Sequence, residues 1–330
     1  MKNMIPTYTD ITNWPQSHFL QTGGTREKCW VLNPQDGKRY FFKVSLKKIK
    51  IDYKSEFWTE IIASKFGQSL GLKMLDYNIA RLGDKIGCLS QNMCEDGFDL
   101  IELKRVLTGF DGTYNPASKE DQSRYNIDFL YGALDDRGLL HTFEQFIRVL
   151  IFDAIIGNGD RHQDNWGFIK PSADTISKLP WWKRILNPRM KIFVSELSWA
   201  VAKFAPIYDS GSCLAHELTD EKVANMLRDE LQLKAYINRG KPELRLKDEK
   251  TTYVDLLHNL LKGQHGDIVK RNLNDILTHY NKQALNEIVN HVDDNLPEEY
   301  AEYKLTSQRK QLIIKLIDLR VEGLKKLNHE

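Results

Sequence analysis

A chain of 330 residues with 41% hydrophobic residues has material for more than one ordinary domain and for sizeable cores. Lys and Arg number 47 against 45 Asp and Glu, so there is no global basic field, which argues against a dedicated nucleic-acid binder. Cys29, Cys88, Cys94 and Cys213 show neither C-x-x-C spacing nor a paired histidine cluster; this argues against a zinc site and reads as reduced thiols of a cytosolic protein.

Residues 1–15 read as a lead-in. They hold no apolar signal region with a cleavage pattern, and no apolar run anywhere reaches the ~18 residues of a membrane helix. The expectation is a soluble, cytoplasmic protein without a membrane partner; secretion or translocation into a host cell stays open. A short strand at 18–21, a loop Thr22-Gly23-Gly24-Thr25-Arg26-Glu27-Lys28 and a strand at 29–32 follow. Asn33-Pro34-Gln35-Asp36-Gly37 is turn chemistry, and 39–45 is a further strand. Residues 55–70 predict a helix: Phe57, Ile61, Ile62, Phe66 and Leu70 recur at helical spacing, with Ser55 placed to cap its start and Gly71 to end it. Strands at 73–81 and 85–93 complete a β-rich part. Cys94-Glu95-Asp96-Gly97 is the expected boundary, dividing the chain into 1–96 and 97–330.

Residues 98–140 are mixed. Residues 141–156 read as a buried helix with Phe143, Phe146, Ile147, Leu150, Ile151 and Ala154 inside. It stops at Gly157, a polar turn follows, and Trp166 and Phe168 start an apolar strand. The connection 170–204, holding Pro171, Pro180-Trp181-Trp182 and Pro188, reads as an insertion. A second apolar run covers 204–208. Beyond Cys213 the pattern is helical, at 220–231, 252–261, 267–280, 284–292 and 298–327. A β-rich part followed by an α-rich part is an α+β arrangement.

Phosphoryl transfer needs a backbone cradle and a lysine for nucleotide phosphates, a divalent metal, and an Asp that orients the attacking hydroxyl. Asp160 and Asn165 have the D-x-x-x-x-N interval of a kinase catalytic loop. A carboxylate can accept the hydroxyl proton, and an amide oxygen gives Mg²⁺ a neutral ligand. Alone, that spacing is more often a polar loop closed by Asx turns. Asp209-Ser210-Gly211 has the D-x-G form of a kinase metal loop, and alone is a common turn. The ordered pair is much more specific than either half.

Other groups stay open between two readings. Lys43, mid-strand in F-F-K-V, is a solvent-facing strand residue or a lysine pointing into a cleft. Glu60, on the helix side of Ser64 and Gly67, is solvated or pairs with Lys43. The Gly23-Gly24 loop, with Thr25, covers phosphates or turns a hairpin; it has neither G-x-G-x-x-G nor Walker spacing. His162 contacts phosphate or braces its loop, and Asp164 has no assigned role. The basic residues of 298–327, from Arg309 to Lys326, form a solvated face or meet an acidic partner. Trp181-Trp182 is a docking patch or packs under its own loop.

The runs G-N-G-D-R-H-Q-D-N-W-G-F, at 157–168, and I-Y-D-S-G-S-C-L, at 207–214, resemble the HipA-like kinase family. These are bacterial serine/threonine kinases whose two-lobed fold is distantly related to protein and phosphoinositide kinases. The Asp-Arg-His order also resembles phosphoinositide kinases. The run S-L-G-L-K at 69–73 and the short N-terminus resemble compact family members. The resemblance implies a two-lobed protein-kinase-like fold, β-rich in the N-lobe and mostly α-helical in the C-lobe, and an ATP- and Mg²⁺-dependent serine/threonine kinase. It implies Asp160 as catalytic base and Asn165 with Asp209 as Mg²⁺ ligands, with His162 grouped among the catalytic residues as the brace of their loop. Lys43 would bind ATP phosphates with Glu60 as its partner, and the loop of Gly23, Gly24 and Thr25 would lie over them. Residues 89–93 would form a hinge, with backbone groups of Gln91 and Met93 facing adenine.

The resemblance also allows autophosphorylation, at Ser45, Ser55 or Ser210 by position, and an antitoxin or other regulatory protein as partner. The expectation is that no room exists for the extra N-terminal subdomain of full-length HipA toxins, so the HipB–DNA arrangement is not carried over. Two alternatives remain beside the protein kinase: a phosphoinositide or small-molecule kinase, and a kinase-fold binding module without turnover.

Overall fold

The computed structural model describes residues 4–17, 27–48, 51–52, 56–177, 198–199 and 201–329. The expected strand at 18–21, the loop of Gly23, Gly24 and Thr25, the Ser55 cap and the Trp181-Trp182 pair lie outside the described residues. Strands β1 (Tyr8–Asp10), β2 (Gln16–Ser17), β3 (Lys28–Leu32), β4 (Arg39–Val44), β7 (Tyr77–Leu82) and β8 (Lys85–Gln91) form one sheet in the order β1-β7-β8-β4-β3-β2. Between β4 and β7 lie a small hairpin, β5 (Lys47–Lys48) with β6 (Ile51–Asp52), and helix α1 (Glu56–Ser69).

The first fifteen residues are more than a lead-in. β1 pairs in parallel with β7, from Tyr8 opposite Ile79 to Asp10 opposite Arg81. What fixes it is Ile11, fully buried in a cluster with Val31, Phe42, Ala80 and Leu89. The Arg81–Asp10 ion pair at 2.9 Å closes the edge.

The helix expected at 55–70 is α1, and it is buried on every side: each residue from Glu56 to Gly67 is buried. A helix wrapped in this way packs on two layers rather than one. Here the layers are β7 and β8 on one side and a late helix, α10 (Lys282–His291), on the other. Gly71, at φ +74°, ends the helix, and the Leu72 amide returns to Gly67 O at 3.0 Å. The strand expected from residue 73 begins only at Tyr77. The segment before it is diverted, with Leu75 N donating to Ile207 O at 2.9 Å and Ile207 N to Lys73 O at 2.8 Å.

The region expected to be mixed opens with a strand, β9 (Phe98–Glu102), and continues into α2 (Leu103–Phe110) and α3 (Ile127–Asp136). Helix α4 (Phe143–Ile156) is nearly all buried and stops at Gly157, whose φ of +68° favours glycine. β9 pairs with β10 (Gly167–Pro171), which also carries β11 (Lys203–Phe204). The apolar run at 204–208 is thus a strand only at its start. A short helix, α5 (Ala173–Ser177), follows β10.

The helical pattern beyond Cys213 is broken in two places the periodicity did not reveal. The stretch 220–231 divides into α6 (Asp220–Arg228) and α7 (Glu230–Asn238), because the Asp229 side chain caps the second helix by accepting from Gln232 N at 3.0 Å. Helices α8 (Tyr253–Lys262), α9 (Gly266–His279) and α10 come next. The stretch 298–327 is one 3-10 turn, Glu298–Tyr303, and then α11 (Ser307–His329). Lys304 is extended between them (φ −62°, ψ 147°), and Thr306 Oγ1 accepts from Arg309 N at 3.3 Å to restart the helix.

A single apolar cluster runs from α1 through α4 to α8–α11. Phe66 of α1 meets Phe152 of α4 with ring centroids 6.4 Å apart. Burying such side chains stabilises by roughly 1.5–3 kcal/mol each. The contact also sets the height of Glu60, two turns before Phe66, over the loop that follows α4.

Candidate active site

The site is built on a charge inside an apolar helix. Asp153 sits in the α4 run Ile151-Phe152-Asp153-Ala154-Ile155 and is 0% exposed. A carboxylate there needs a partner, and Arg161, itself 2% exposed, supplies it. Arg161 Nε donates to Asp153 Oδ2 at 2.8 Å and Nη2 to Oδ1 at 3.0 Å. Burial opposes the Arg161 charge, but the Asp153 carboxylate outweighs it and holds the guanidinium above its ordinary value. The remaining donors reach across two loops: Nη1 to Tyr208 O at 2.5 Å and Asn165 O at 3.2 Å, Nη2 to Ser210 Oγ at 2.9 Å. One buried side chain therefore ties the loop of Asp160 and Asn165 to the loop of Asp209.

Within the first loop, Asn158 Oδ1 accepts from Asp160 N at 3.2 Å, and Asn165 Nδ2 donates to Asp160 O at 2.9 Å. The five-residue interval thus closes on itself, and the Asn165 amide oxygen is the end left to accept or coordinate. His162 Nδ1 accepts from Asp164 N at 3.3 Å, as a brace would. Ser212 Oγ donates to Asp160 Oδ2 at 3.3 Å.

Lys43, on β4, is 8% exposed and does not face solvent. Its Nζ lies 3.0 Å from Glu60 Oε2 and 2.6 Å from Asp209 Oδ1. Glu60, 1% exposed, accepts from Ser210 N at 2.7 Å through its other oxygen. Thr59 Oγ1 donates to Gly211 O at 2.6 Å. Gly211 is glycine for a reason of space: a Cβ there would stand 2.9 Å from Glu60 Oε2. Asp209 has φ +53°, a left-handed conformation uncommon for a non-glycine residue and often found where function imposes it.

Gln91 is the last residue of β8, opposite Tyr40, and Asn92 N donates to Arg39 O at 2.9 Å. In an antiparallel ladder this leaves the backbone N–H and C=O of Gln91 pointing away from β4. Met93 follows in the turn after β8. A cavity of about 600 Å³ opens beside Asp160, lined by His162, Asp164, Lys104, Arg245 and Lys250 among others.

So the structure brings Lys43, Glu60 and Asp209 into direct contact, and links Asp160 and Asn165 to them through Arg161. Asp153, Arg161 and Ser212 were missed by sequence reasoning. A signal for Asp153 and Arg161 existed: a lone carboxylate in a buried helix predicts a cation nearby.

No family model matches the chain. It is similar to the serine/threonine-protein kinase CtkA of Helicobacter pylori, 24% identical over 263 residues, which are 76% of this chain and 69% of the relative. The crystal structure of the Helicobacter pylori proinflammatory kinase CtkA superposes with a TM-score of 0.73 at 20% identity, covering 98% of this chain and 97% of the other. Shewanella oneidensis HipA, solved with HipB and operator DNA, superposes with a TM-score of 0.52 at 12% identity, over 94% of this chain and 67% of the other. The chain has the HipA-like kinase fold.

In HipA-like terms, the six-stranded sheet with α1 is the N-lobe, and the helices from α2 onward dominate the C-lobe. Among the described residues no helix is long and apolar enough to cross a membrane. All four cysteines are free thiols, and burial pushes the Cys88 and Cys213 thiols up. A HipA-like fold implies a nucleotide and a divalent metal, and the donor set fits the metal. Among the described residues no cluster of three or more His, Cys, Asp or Glu is ready to hold a cation alone. One carboxylate and one amide oxygen, from Asp209 and Asn165, are what a hard cation takes when phosphate oxygens and water complete its shell.

Proposed function

We propose that the chain is an ATP- and Mg²⁺-dependent serine/threonine protein kinase that moves the γ-phosphoryl group of ATP to a protein hydroxyl, its own included. The observation that carries this reading is the placement of the Lys43 ammonium within hydrogen-bond distance of both Glu60 and Asp209, residues 17 and 166 positions away. A buried lysine held between a helix carboxylate and a loop carboxylate has little purpose in a static core; facing a cleft, it suits a preformed phosphate site.

In this reading Glu60 holds Lys43 straight, and Lys43 exchanges its Asp209 contact for nucleotide phosphate oxygens. The backbone of Gln91 and Met93 receives adenine, with the loop of Gly23, Gly24 and Thr25 over the phosphates. Asn165 and Asp209 would hold Mg²⁺, which would neutralise phosphate charge. Asp160 accepts the proton of the acceptor hydroxyl as its oxygen bonds to the γ-phosphorus and the bond to the bridging oxygen breaks, releasing ADP. The Ser212 hydroxyl on Asp160 Oδ2 marks where such an acceptor can sit. His162 braces the loop and lines the cavity in which an acceptor chain would lie. Residues 1–96 and 97–330 are the two lobes of the proposal.

The test is transfer from γ-labelled ATP by Asp160→Asn and Asp209→Asn. Each is expected to lower transfer by at least ~10²-fold, with the melting temperature kept near wild type. Asparagine is the right replacement at 209 because it tolerates left-handed backbone better than alanine. Near-normal autophosphorylation by Asp160→Asn would remove the base assignment.

A second reading, a lipid or small-molecule kinase, draws support from the size of the cavity beside Asp160, about 600 Å³, whose lining mixes Lys104, Arg245 and Lys250 with Asp164 and Glu243. Label uptake into inositol lipids but not into protein extracts would favour it. Nucleotide binding without Mg²⁺-dependent ATP consumption would instead mark a binding module. A regulatory protein partner of antitoxin type belongs to the proposal through the HipA relative solved with HipB. Tagged protein that recovers no stoichiometric partner from its native cells would remove that part.

A further inference from the structure

At the opposite end of α4 from Asp160, a cavity of about 440 Å³ opens between the C-terminal end of α1, the start of α4 and the segment leading to Asp209. Its floor is apolar, with Val149, Phe204 and Ile207 among the lining residues. Its charged lining is of one sign: Lys73, Arg148 and Lys203, with His141 beside them and no Asp or Glu among the described residues that line it. Like charges gathered round an apolar floor raise the energy of the empty site and lower that of one holding an anion.

The basic side chains differ in how they are held. Arg148 is fixed by Asp275 at 2.6 Å and Asn272 at 3.1 Å. His141 Nε2 lies 3.1 Å from Ala202 O, which fixes its ring. Lys73 and Lys203 are exposed, and neither has an ion pair among the described residues. The nearby carboxylate Glu144 is engaged with Arg271 and Asn272.

We propose that this cavity binds a small phosphate monoester with an apolar or aromatic body, the body on the floor and the dianionic phosphate against Lys73, Lys203 and Arg148. A concave volume of about 440 Å³ favours a small molecule over an extended peptide. Two exposed lysines on one rim, beside an arginine held by Asp275, favour a dianion over a carboxylate. The site lies beyond the proposed nucleotide cleft, yet one link joins the two. Ile207, on the floor, bonds to Lys73 O and to Leu75 N, and stands two residues before Asp209. An occupant spanning Lys73 and Lys203 would grip the segment that sets the Asp209 backbone.

The test is calorimetric titration of the whole protein with naphthyl phosphate, with naphthol as the uncharged control. The expected result is saturable binding by wild type and by Lys43→Met, and at least ~10-fold weaker binding by Lys73→Glu/Lys203→Glu. Both lysines are exposed, so that double variant should melt near wild type; if it does not fold, Lys203→Ala is read in its place, with at least ~3-fold weakening expected. Absence of saturable binding by wild type, loss of binding in Lys43→Met, equal affinity in the lysine variants, or naphthol binding as tightly as the phosphate would each overturn the proposal. Because Lys43→Met removes the cleft lysine, these outcomes stand apart from the success or failure of the kinase reading.

Discussion

Arg161 and Asp153 meet through two hydrogen bonds, at 2.8 and 3.0 Å, and both side chains are all but closed to solvent. A buried pair of this kind is costly to break from one side, because the survivor keeps its charge without its partner. Arg161→Ala is therefore expected to destabilise by about 3–5 kcal/mol in denaturant unfolding. Arg161→Lys keeps the charge but loses the planar fork, so it should melt between the two and still lose transfer. A lysine variant with full transfer would sever the link between this pair and the two loops.

Glu60 has a different part, since its two oxygens serve Lys43 and Ser210 N separately. Glu60→Gln keeps the shape and removes the charge. The expected effect is a kcat/KM for ATP lower by ~10–100-fold, with a KM rise as the larger share because Lys43 loses its brace. Steady-state ATP turnover across nucleotide concentrations separates the two parameters.

Gly211 offers a test of space alone. Its backbone is ordinary, so alanine meets no conformational penalty, but the added Cβ would stand 2.9 Å from Glu60 Oε2. Gly211→Ala should cost ~1–3 kcal/mol by overpacking and weaken nucleotide binding together with stability. Combined with Glu60→Ala, the clash disappears, and the stability cost of the second change should shrink in a double-mutant cycle.

The pH dependence of stability has a clear source at Asp76, on the N-lobe side. Burial acts to raise the Asp76 carboxyl, but hydrogen bonds from Lys65, Gln68 and Asn78 outweigh it and hold it below the ordinary 3.8. A carboxyl lowered in the folded state binds fewer protons there than in the unfolded chain. Its contribution is complete above the unfolded value and is lost as pH falls through the folded one. Asp76→Asn should therefore lower the melting temperature at pH 7 and flatten its decline below pH ~4. Lys65, whose ammonium lies 2.7 Å from Asp76 and whose side chain is 4% exposed, makes the loss felt. Melting curves from pH 3 to 7 check both.

Much of the fold was legible because its signals are local. The helix at 56–69 has its stripe, and the ends of α4 and α8 carry Gly157 and Thr252 in capping positions. What escaped is non-local or brief. β1 is three residues long and has meaning only beside β7, some seventy positions later. α11 was run together with the 3-10 turn before it, although Thr306 stands where a cap belongs. In the site, Asp160, Asn165 and Asp209 stood out by spacing, whereas Arg161 looked like a neighbour of the motif. Only the fold shows that its donors reach Tyr208 and Ser210.

Trp58 Nε1 donates to Tyr303 O at 2.6 Å, and Asn295 Nδ2 to Pro6 O at 2.8 Å. These bonds fasten the N-terminal sheet and helix to the last turns described, away from the proposed hinge at 89–93, while α1 packs along α10. A molecule pinned at two places does not open like a jaw. On the proposed reading, nucleotide would enter and leave with these contacts in place and with Lys43 kept on its Glu60 brace. Crosslinking position 58 to position 303 should on this account leave turnover intact, whereas a crosslink from β3 to the loop after α4 should stop it.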